Sequence, residues 1–534
     1  MRSGLLLLGV LALVFCAPAA AQAQPAVPQE ATQQADGFAD IASGNYGRIA
    51  AGATGLAASG DPQAATVLHA LTTRHLFAAH DGHGLYIREN NTVTDARTGA
   101  VVAAVPEGLR PIRLNNHVRE AVDAALALLD LHAPDRATRL RAADAIYDIH
   151  ASITLPALDR ALTHEPDAGV RQALVQARAA VLLTAPTPPP SDQALAAIHA
   201  LTERSGLPAR AILAGFHGAT PDVQHAATEA IATIDLRLRL WSILQYLFYG
   251  ISLGSVLLLA AMGLAITFGV MGVINMAHGE LVMIGAYVTY LAQQATGSSS
   301  LGLALAVPLA FLVSGGIGIL IERGLIRFLY GRPLETLLAT WGLSLVLQQA
   351  VRSLFGPTNL SVTTPAWMSG SIAVGGLVIT LNRLVIIVFA ALVMLALTLV
   401  LKRTPLGLQM RAVTQNRRMA SLMGIRTPRV DALTFGLGSG VAGLAGVAIS
   451  QIDNVSPNLG QGYIIDSFMV VVFGGVGNLW GTLAGAATLG IANKILEPVA
   501  GAVLGKIVVL ILLIAFIQRK PRGMFPLRGR GVES

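Results

Sequence analysis

Most of the chain beyond residue 242 consists of long stretches without a charged residue. The charge-free stretches are residues 243–274, 281–321, 336–351, 384–401, 432–450 and 467–493, and residues 501–518 add a stretch with a single lysine. A helix of about 20 apolar residues crosses the hydrocarbon core of a bilayer, which is roughly 30 Å thick. The polar segment 293–300 divides the second stretch into two such helices. The sequence therefore predicts an all-α fold, a polytopic membrane bundle of about eight or nine spans within residues 241–526.

The charged residues divide the chain into two parts of different character. Of the 534 residues, 13% are charged and 53% hydrophobic, but 22 of the 30 acidic residues lie before residue 241. Soluble domains carry roughly 25% charged residues, so residues 241–526 do not form one. The net charge of +7 comes from basic residues between apolar stretches, which argues against nucleic-acid binding. We expect a water-compatible body at 24–240, a membrane domain, and a cytoplasmic tail at 527–534.

Residues 1–23 have the organisation of a secretory signal peptide. Arg2 supplies the positive charge, residues 5–15 form an apolar run of eleven, and small residues around Ala21 suit a cleavage site. Eleven apolar residues are too few for a stable span of about 30 Å, and an uncleaved anchor is the alternative. Cys16 is the only cysteine and lies inside this segment. The mature chain is therefore expected to contain no disulfide and no thiolate metal site.

Residues 24–240 are predicted to form an exported, periplasmic domain of packed helices. Proline–aspartate pairs open several helical stretches, and those at Pro134 and Pro166 are 32 residues apart with similar sequences after them. This spacing resembles a HEAT-like helical repeat, and stacked repeats mostly form binding faces. Turn residues within 85–105 predict a small hairpin, and the proline-rich segment 184–191 predicts a linker. A scaffold or docking surface is the expected role.

A cluster of histidines in this domain could bind a metal ion. His75, His80 and His83 lie close together with Asp81 between them, and histidine and carboxylate side chains suffice for zinc. Their spacing matches no strong metal-site template, however, and the neighbouring glycines favour a solvated loop. We expect no metal and no cofactor.

Basic residues indicate how the membrane domain is oriented. They concentrate in three segments, 323–332, 402–429 and 519–530, of which the second contains seven cations and no acid. Cytoplasmic segments carry an excess of lysine and arginine, so all three segments are placed in the cytoplasm and the exported domain in the periplasm. This arrangement requires an odd number of crossings. Residues 467–493 must then cross twice, or enter the membrane and return.

Four segments of the membrane domain have distinctive sequences: GVINMAHGE at 272–280, the segment from TPLG at 404–407 to MASLMGI at 419–425, FMVVVFGGVGN at 468–478 and RKPRGMF at 519–525. Together they resemble the permease subunits of the branched-chain amino acid class of ABC importers. The family usually has phenylalanine in place of Met276. The resemblance covers nearly all of residues 243–526. An exported helical domain before such a permease is similar to the urea-type branch of this family.

The resemblance implies the location and the partners of the protein. A permease of this class works in the bacterial inner membrane with cytoplasmic ATPase subunits, a second permease subunit and a periplasmic solute-binding protein. It is not an enzyme itself. Residues 501–506 weakly resemble a phosphate loop, but they lack the glycine spacing and the hydroxyl that nucleotide binding needs. The bilayer is the remaining expected partner, and no nucleic acid is expected.

Two interruptions of the apolar stretches are the predicted solute path. The candidate residues are Asn275, His278, Glu280, Gly474, Gly475 and Gly477. The three polar residues lie at the junction of two apolar segments, where polar groups are costly in lipid and usually face a bundle interior. They could instead cap helix ends. The three glycines could likewise form a plain turn between two short helices.

The basic loop is predicted to couple the membrane domain to an ATPase subunit. Apolar residues at roughly helical spacing predict one amphipathic helix over residues 410–422, which suits a groove on another protein. In importers of this class the corresponding loop contacts the ATPase. The residues expected to do so here are Gly407, Arg411, Arg417, Arg418, Met419, Ala420, Leu422 and Gly424. The cations could instead only fix the topology or meet anionic lipid headgroups.

These expectations favour the translocation subunit of an ATP-driven importer that moves urea or a related small amide inward. A branched-chain amino acid permease subunit is the alternative within the same family. A membrane-anchored periplasmic sensor or scaffold is the alternative from a different class of protein.

Overall fold

The computed structural model describes residues 36–79, 84–89, 92–102, 106, 108–218, 220–521 and 523–525. The chain divides into two compact units, Met1–Thr233 and Ile234–Ser534. The predicted signal peptide, three of the four residues of the predicted metal cluster (80, 81 and 83) and the predicted tail 527–534 lie outside the described residues.

The first unit consists of nine helices and four short strands among its described residues. They are α1 (Gly37–Ala42), α2 (Tyr46–Ser59), α3 (Ala64–Thr72), β1 (Leu76–Ala78), β2 (Leu85–Glu89), β3 (Thr92–Asp95), β4 (Arg110–Pro111), α4 (Asn116–Asp130), α5 (Arg136–Ile149), α6 (Leu155–His164), α7 (Ala168–Thr184), α8 (Ser191–Arg204) and α9 (Gly206–Gly215). The gap between α7 and α8 coincides with the predicted linker.

The strands form one antiparallel sheet in the order β3-β2-β1-β4. Ile87 of β2 pairs with Leu76 of β1 on one side and with Thr94 of β3 on the other. The predicted hairpin is therefore present as β2 and β3, and two further strands extend it. Leu76, Leu85 and Ile87 are buried in the same apolar core as α2, α3 and α4.

Equivalent aspartates start α5 and α7, 32 residues apart. The carboxylates of Asp135 and Asp167 accept hydrogen bonds from backbone N–H groups in the first turns of α5 and α7. Each preceding proline lies just before its helix rather than in its first turn, because the aspartate occupies the N-cap position. Arg136 Nε donates to Asp167 Oδ2 at 2.9 Å. The N-termini of α5 and α7 therefore lie side by side.

The second unit is almost entirely helical. Its elements, with the helix that leads into it, are α10 (Pro221–Met271), α11 (His278–Thr296), α12 (Ser299–Gly324), α13 (Pro333–Phe355), β5 (Ser371–Val374), β6 (Leu377–Thr380), α14 (Leu381–Arg403), α15 (Pro405–Gln415), α16 (Arg417–Leu422), α17 (Thr427–Ile449), α18 (Leu459–Gly474) and α19 (Leu479–Arg519). Strands β5 and β6 form a short antiparallel hairpin.

Five helical segments in the described chain are long and apolar enough to cross a membrane. They are Pro221–Met271, Ser299–Phe328, Leu381–Arg403, Thr427–Ile449 and Leu479–Arg519. The shorter α18 is also apolar, and α11 and α13 carry more polar residues. The predicted all-α membrane bundle is confirmed, with only a small sheet in each unit.

α19 reverses direction at Gly501. This residue has φ 77° and ψ 163°, which are not helical values. A methyl group placed on Gly505 would lie 3.6 Å from Leu496 Cβ, whereas nine residues of continuous helix would separate them by about 13 Å. α19 is therefore two packed helical segments. With this division, nine helical segments longer than 15 residues build the described second unit, within the predicted range of spans.

Glycines allow α17 to approach its neighbours closely. A methyl group on Gly438 would collide with the backbone of Gly263 in α10, and one on Gly446 with the carbonyl oxygen of Val282 in α11. Gly443 lies equally close to the backbone of α12. Small residues at helix interfaces in membranes permit such backbone contacts. The glycines of α17 therefore serve helix packing.

We expect Arg139→Gln to destabilise the first unit, because Arg139 Nε bonds the buried Glu165 carboxylate at 2.9 Å. This hydrogen bond holds the pKa of Glu165 below its ordinary value. The stabilisation is thus fully present above the pKa of a free glutamate, and it is lost as the pH falls through the lower pKa of the folded protein. The unfolding temperature of Arg139→Gln should lie several degrees below that of the wild type at neutral pH, and the difference should shrink in acid.

Arg141→Gln is the matched control on the same helix, because the hydrogen bonds of Arg141 in the described structure stay within α5, at Ala137 and Thr138. It should leave the unfolding temperature nearly unchanged. A deficit in Arg139→Gln that stays constant from neutral pH into acid would contradict the role given to the Glu165 carboxylate.

Candidate functional site

The chain between α10 and α11 turns back along α10. α10 ends at Met271, and Gly272 follows with φ 67°. His278 Nε2, at the start of α11, donates a hydrogen bond to the carbonyl oxygen of Ala260 at 2.9 Å. Since a helix rises 1.5 Å per residue, Ala260 lies about 16 Å before the end of α10. α11 therefore begins beside the middle of the apolar part of α10.

The polar residues of this interruption are buried. Asn275, His278 and Glu280 are each 1% exposed. Asn275 Oδ1 accepts a hydrogen bond from the backbone N–H of Ala277 at 3.0 Å, so one of its roles is to satisfy the backbone ahead of α11. Asn275 Nδ2, His278 Nδ1 and Glu280 Oε2 have no hydrogen-bond partner among the described residues. The polar side chains of this interruption are thus only partly hydrogen-bonded within the described protein.

α18 begins beside the start of α11. A methyl group on Gly279 would collide with the carbonyl oxygen of Gly460, so the first turns of these two helices are in backbone contact. The non-helical segment before α18 is held by Val455, which exchanges backbone hydrogen bonds of 2.8 and 2.9 Å with Leu360. The N-terminus of a helix carries a partial positive charge. Two such termini therefore lie together within the second unit.

α13 carries a stripe of polar residues on its buried face. Thr336, Thr340, Ser344 and Gln348 follow one another at intervals of four residues, and all four are buried. Residues four apart lie on one face of a helix. The other side of α13 is apolar and exposed, the reverse of the pattern in a water-soluble protein. Such a helix suits a bundle with a polar interior and an apolar surrounding.

The stripe pairs with the interruption between α10 and α11 and with the non-helical segment before α18. Thr340 Oγ1 accepts a hydrogen bond from the backbone N–H of Met276 at 3.1 Å, and Ser344 Oγ donates to Glu280 Oε1 at 2.9 Å. Gln348 Nε2 donates to Asn458 Oδ1 at 3.1 Å, just before α18. We call the set formed by the following residues the polar column: Glu280, Thr336, Thr340, Ser344, Gln348, Arg352 and Asn458.

The polar column runs for a large part of the length of α13. From Thr336 to Arg352 it extends about 24 Å at 1.5 Å per residue. Arg352, at its end, donates to Asn458 Oδ1 at 2.9 Å. The residues contributed by α13 are not among those predicted from the sequence, although their four-residue spacing is a visible signal.

The glycine-rich break between α18 and α19 is a packed turn. Gly475 and Gly477 have φ of 105° and 81°, values that favour glycine. A methyl group on Gly475 would lie 2.7 Å from the carbonyl oxygen of Phe525, whose N–H donates to Gly474 O at 3.1 Å. Of the two alternatives, the plain turn between helices is present. Packing alone therefore explains these glycines, and their part in a solute path stays a prediction.

The predicted single helix over residues 410–422 is wrong. Asn416 interrupts it, because its Oδ1 accepts a hydrogen bond from Met419 N at 2.9 Å and caps a new helix, α16. Met410 and Val413 lie on the buried face of α15, whereas Met419 and Leu422 are exposed. The four apolar residues thus divide between an inner and an outer surface.

The remaining loop residues of the prediction have distinct positions. A methyl group on Gly407 would collide with the backbone of Leu401, and Arg411 donates a hydrogen bond to the carbonyl oxygen of Leu401. Ala420 is buried, and Gly424 has φ 88°. These residues shape the loop, and they leave α16 as its outermost apolar surface.

Arg417 ties α16 to the membrane helices. Its guanidinium donates two hydrogen bonds to Asp431 of α17, whose side chain is fully buried. It also lies 4.7 Å from the ring centroid of Tyr330, and Tyr330 Oη donates to Glu322 Oε1 of α12 at 2.8 Å. Arg418, the next residue, is exposed. Only Arg417 of this adjacent pair therefore anchors the loop.

Residues 246–517 match the protein family described as branched-chain amino acid transport system, permease component. The chain is 33% identical over 293 residues to the high-affinity branched-chain amino acid transport system permease protein BraD of Pseudomonas aeruginosa, covering 53% of this chain and 95% of that protein. It is 33% identical over 293 residues to LivH of Escherichia coli K12, which carries the same description, covering 53% and 94%.

A more distant relative lies in an archaeon. The probable branched-chain amino acid transport permease protein LivH of Methanocaldococcus jannaschii is 25% identical over 292 residues, covering 51% of this chain and 88% of that protein. No solved structure gives a significant match to the chain.

We expect Gly279→Ala to destabilise the second unit by about 1–3 kcal/mol, as overpacking of a filled interior does. The added methyl group would meet the backbone of Gly460, which has no flexible side chain to move aside. Thermal unfolding of the purified protein measures the effect. Gly462→Ala is the matched control, since a methyl group there meets open space. Equal stability of the two variants would contradict the close contact between α11 and α18.

Proposed function

This chain belongs to the branched-chain amino acid transport system permease family, and we propose that it is the membrane-spanning translocation subunit of an ATP-driven ABC importer. The observation that carries the proposal is the polar column. Polar groups are costly in hydrocarbon unless they face protein or a passage. A column of about 24 Å extends over most of a hydrocarbon core of roughly 30 Å. Its donors and acceptors suit a small polar solute that loses its hydration water.

We propose branched-chain amino acids as the solutes. The relatives that share about half of this chain are named for branched-chain amino acid transport. The expectation of urea rested on the exported domain, and the family match begins only at residue 246. The relatives therefore support the alternative solute better than urea.

The chain is a multi-pass protein of the inner membrane, as its relatives and apolar helices indicate. We propose that its basic segments face the cytoplasm and that its first unit is periplasmic. A periplasmic solute-binding protein would then deliver the solute, and a second permease subunit would complete the membrane part. The sensor or scaffold alternative offers no reason for a polar column in the membrane unit.

We propose that a partner ATPase subunit supplies the energy and binds α16. The outer side of this helix presents Met419, Leu422 and Met423, and the last two are each 80% exposed. Arg418 lies beside them and is also exposed. An apolar surface with a basic rim suits a groove that is apolar inside and acidic at its edge. Arg417 would then pass the movement of α16 to α17 through Asp431.

Deletion of the chain from its host should abolish high-affinity uptake of radiolabelled leucine, isoleucine and valine. A plasmid copy should restore it. Uptake of radiolabelled urea, measured in the same cells, should not change. Loss of urea uptake with normal leucine uptake would support the urea-type alternative, and normal uptake of both solutes would contradict the importer.

Leu422→Glu should prevent the chain from retaining its ATPase subunit during copurification, because the charge replaces an exposed apolar contact. Leu408→Glu is the matched control, since Leu408 is an exposed leucine on α15 rather than on α16. Both variants should insert into the membrane normally. Retention of the ATPase by Leu422→Glu would place the docking surface elsewhere.

A further inference from the structure

Glu280 is a buried carboxylate with one unsatisfied oxygen. It lies in the first turn of α11 and is 1% exposed. Oε1 accepts the hydrogen bond from Ser344 Oγ at 2.9 Å, and Oε2 has no hydrogen-bond partner among the described residues. Burying a carboxylate without full pairing costs far more free energy than burying a hydroxyl or an amide. The position at Oε2 therefore favours an additional partner.

Other buried carboxylates of this unit have such a partner within the protein. Asp431 receives two hydrogen bonds from the Arg417 guanidinium, and Glu322 receives one from the Tyr330 hydroxyl. Glu280 takes part in none of the ion pairs found among the described residues. Its partner is thus not a fixed side chain of the described unit.

Two features beside Glu280 would stabilise a negative charge on its carboxylate. The positive ends of α11 and α18 meet there, since Gly279 contacts Gly460, and a helix N-terminus stabilises a negative charge nearby. The Ser344 hydroxyl lies 2.9 Å from Oε1 and can donate a hydrogen bond to a charged carboxylate. A charged Oε2 is complemented best by a group that is positively charged and carries N–H donors.

We infer that Glu280 binds the ammonium group of the transported amino acid, an inference that rests on the proposed function. An ammonium group brings one positive charge and three N–H donors, so it can pair with Oε2 and still reach neighbours along the polar column. A transient partner also suits transport, because the solute must leave the site again. Urea donates hydrogen bonds but carries no charge, and it would gain less from this carboxylate.

The test is Glu280→Gln in the intact importer, assembled with its ATPase subunit and its other partners. Glutamine keeps the size of the side chain and can still accept from Ser344, but it has no charge. Leucine uptake should fall by about tenfold or more, as expected for a lost charge-assisted hydrogen bond. Assembly with the ATPase should be unchanged. Normal leucine uptake by Glu280→Gln would overturn the inference, because a structural or neutral role tolerates this substitution.

Two further variants complete the test. Asp466→Asn changes a buried carboxylate of α18 that already has a partner, Lys506, and should leave leucine uptake near the wild-type rate. If Glu280→Gln fails to assemble, Glu280→Asp decides, since it keeps the charge: measurable leucine uptake supports the inference, and normal assembly without uptake overturns it. If the wild-type importer does not transport leucine, the proposed function itself is wrong. That result differs from a failure of the Glu280 inference, in which the wild type transports leucine and Glu280→Gln does so equally well.

Discussion

Polar backbone and side-chain groups inside a bilayer must find their partners within the protein, and the second unit is organised by that requirement. Its helices are interrupted between α10 and α11 and again before α18, and both interruptions face the polar stripe of α13. Thr340 binds the backbone at Met276, and Gln348 binds Asn458. The apolar face of α13 points away from these contacts. α13 built this way turns its polar stripe toward the bundle interior and its apolar face outward.

Backbone contacts at glycines hold this arrangement together. Gly438 and Gly446 bring α17 against α10 and α11, and Gly279 brings α11 against α18. Near its start, the same α17 carries the buried Asp431, which is bonded to Arg417 of α16. A continuous set of packed helices thus joins the exposed surface of α16 to the polar column. This continuity gives the proposed coupling to an ATPase a physical route.

Counting charges and apolar residues predicts the helical membrane bundle and the burial of Asn275 and Glu280. The same method passed over α13, because threonine, serine and glutamine are uncharged and their four-residue spacing is visible only when polar residues are plotted on a helix. The break at Asn416 was missed because an apolar periodicity does not register a capping side chain. The glycine motif at 474–477 suggested a part in the solute path, which stays a prediction, and its φ angles and its contact with Phe525 describe a packed turn.

The central claim is that the polar column faces a passage that opens to water during transport. Cysteine accessibility tests it most directly: the Ser344→Cys variant is compared with Val346→Cys, whose side chain lies on the exposed apolar face of the same helix. During ATP-driven transport, a membrane-impermeant thiol reagent should label Ser344→Cys but not Val346→Cys, and added leucine should slow the labelling. A Ser344→Cys protein that transports leucine but is never labelled would contradict the account.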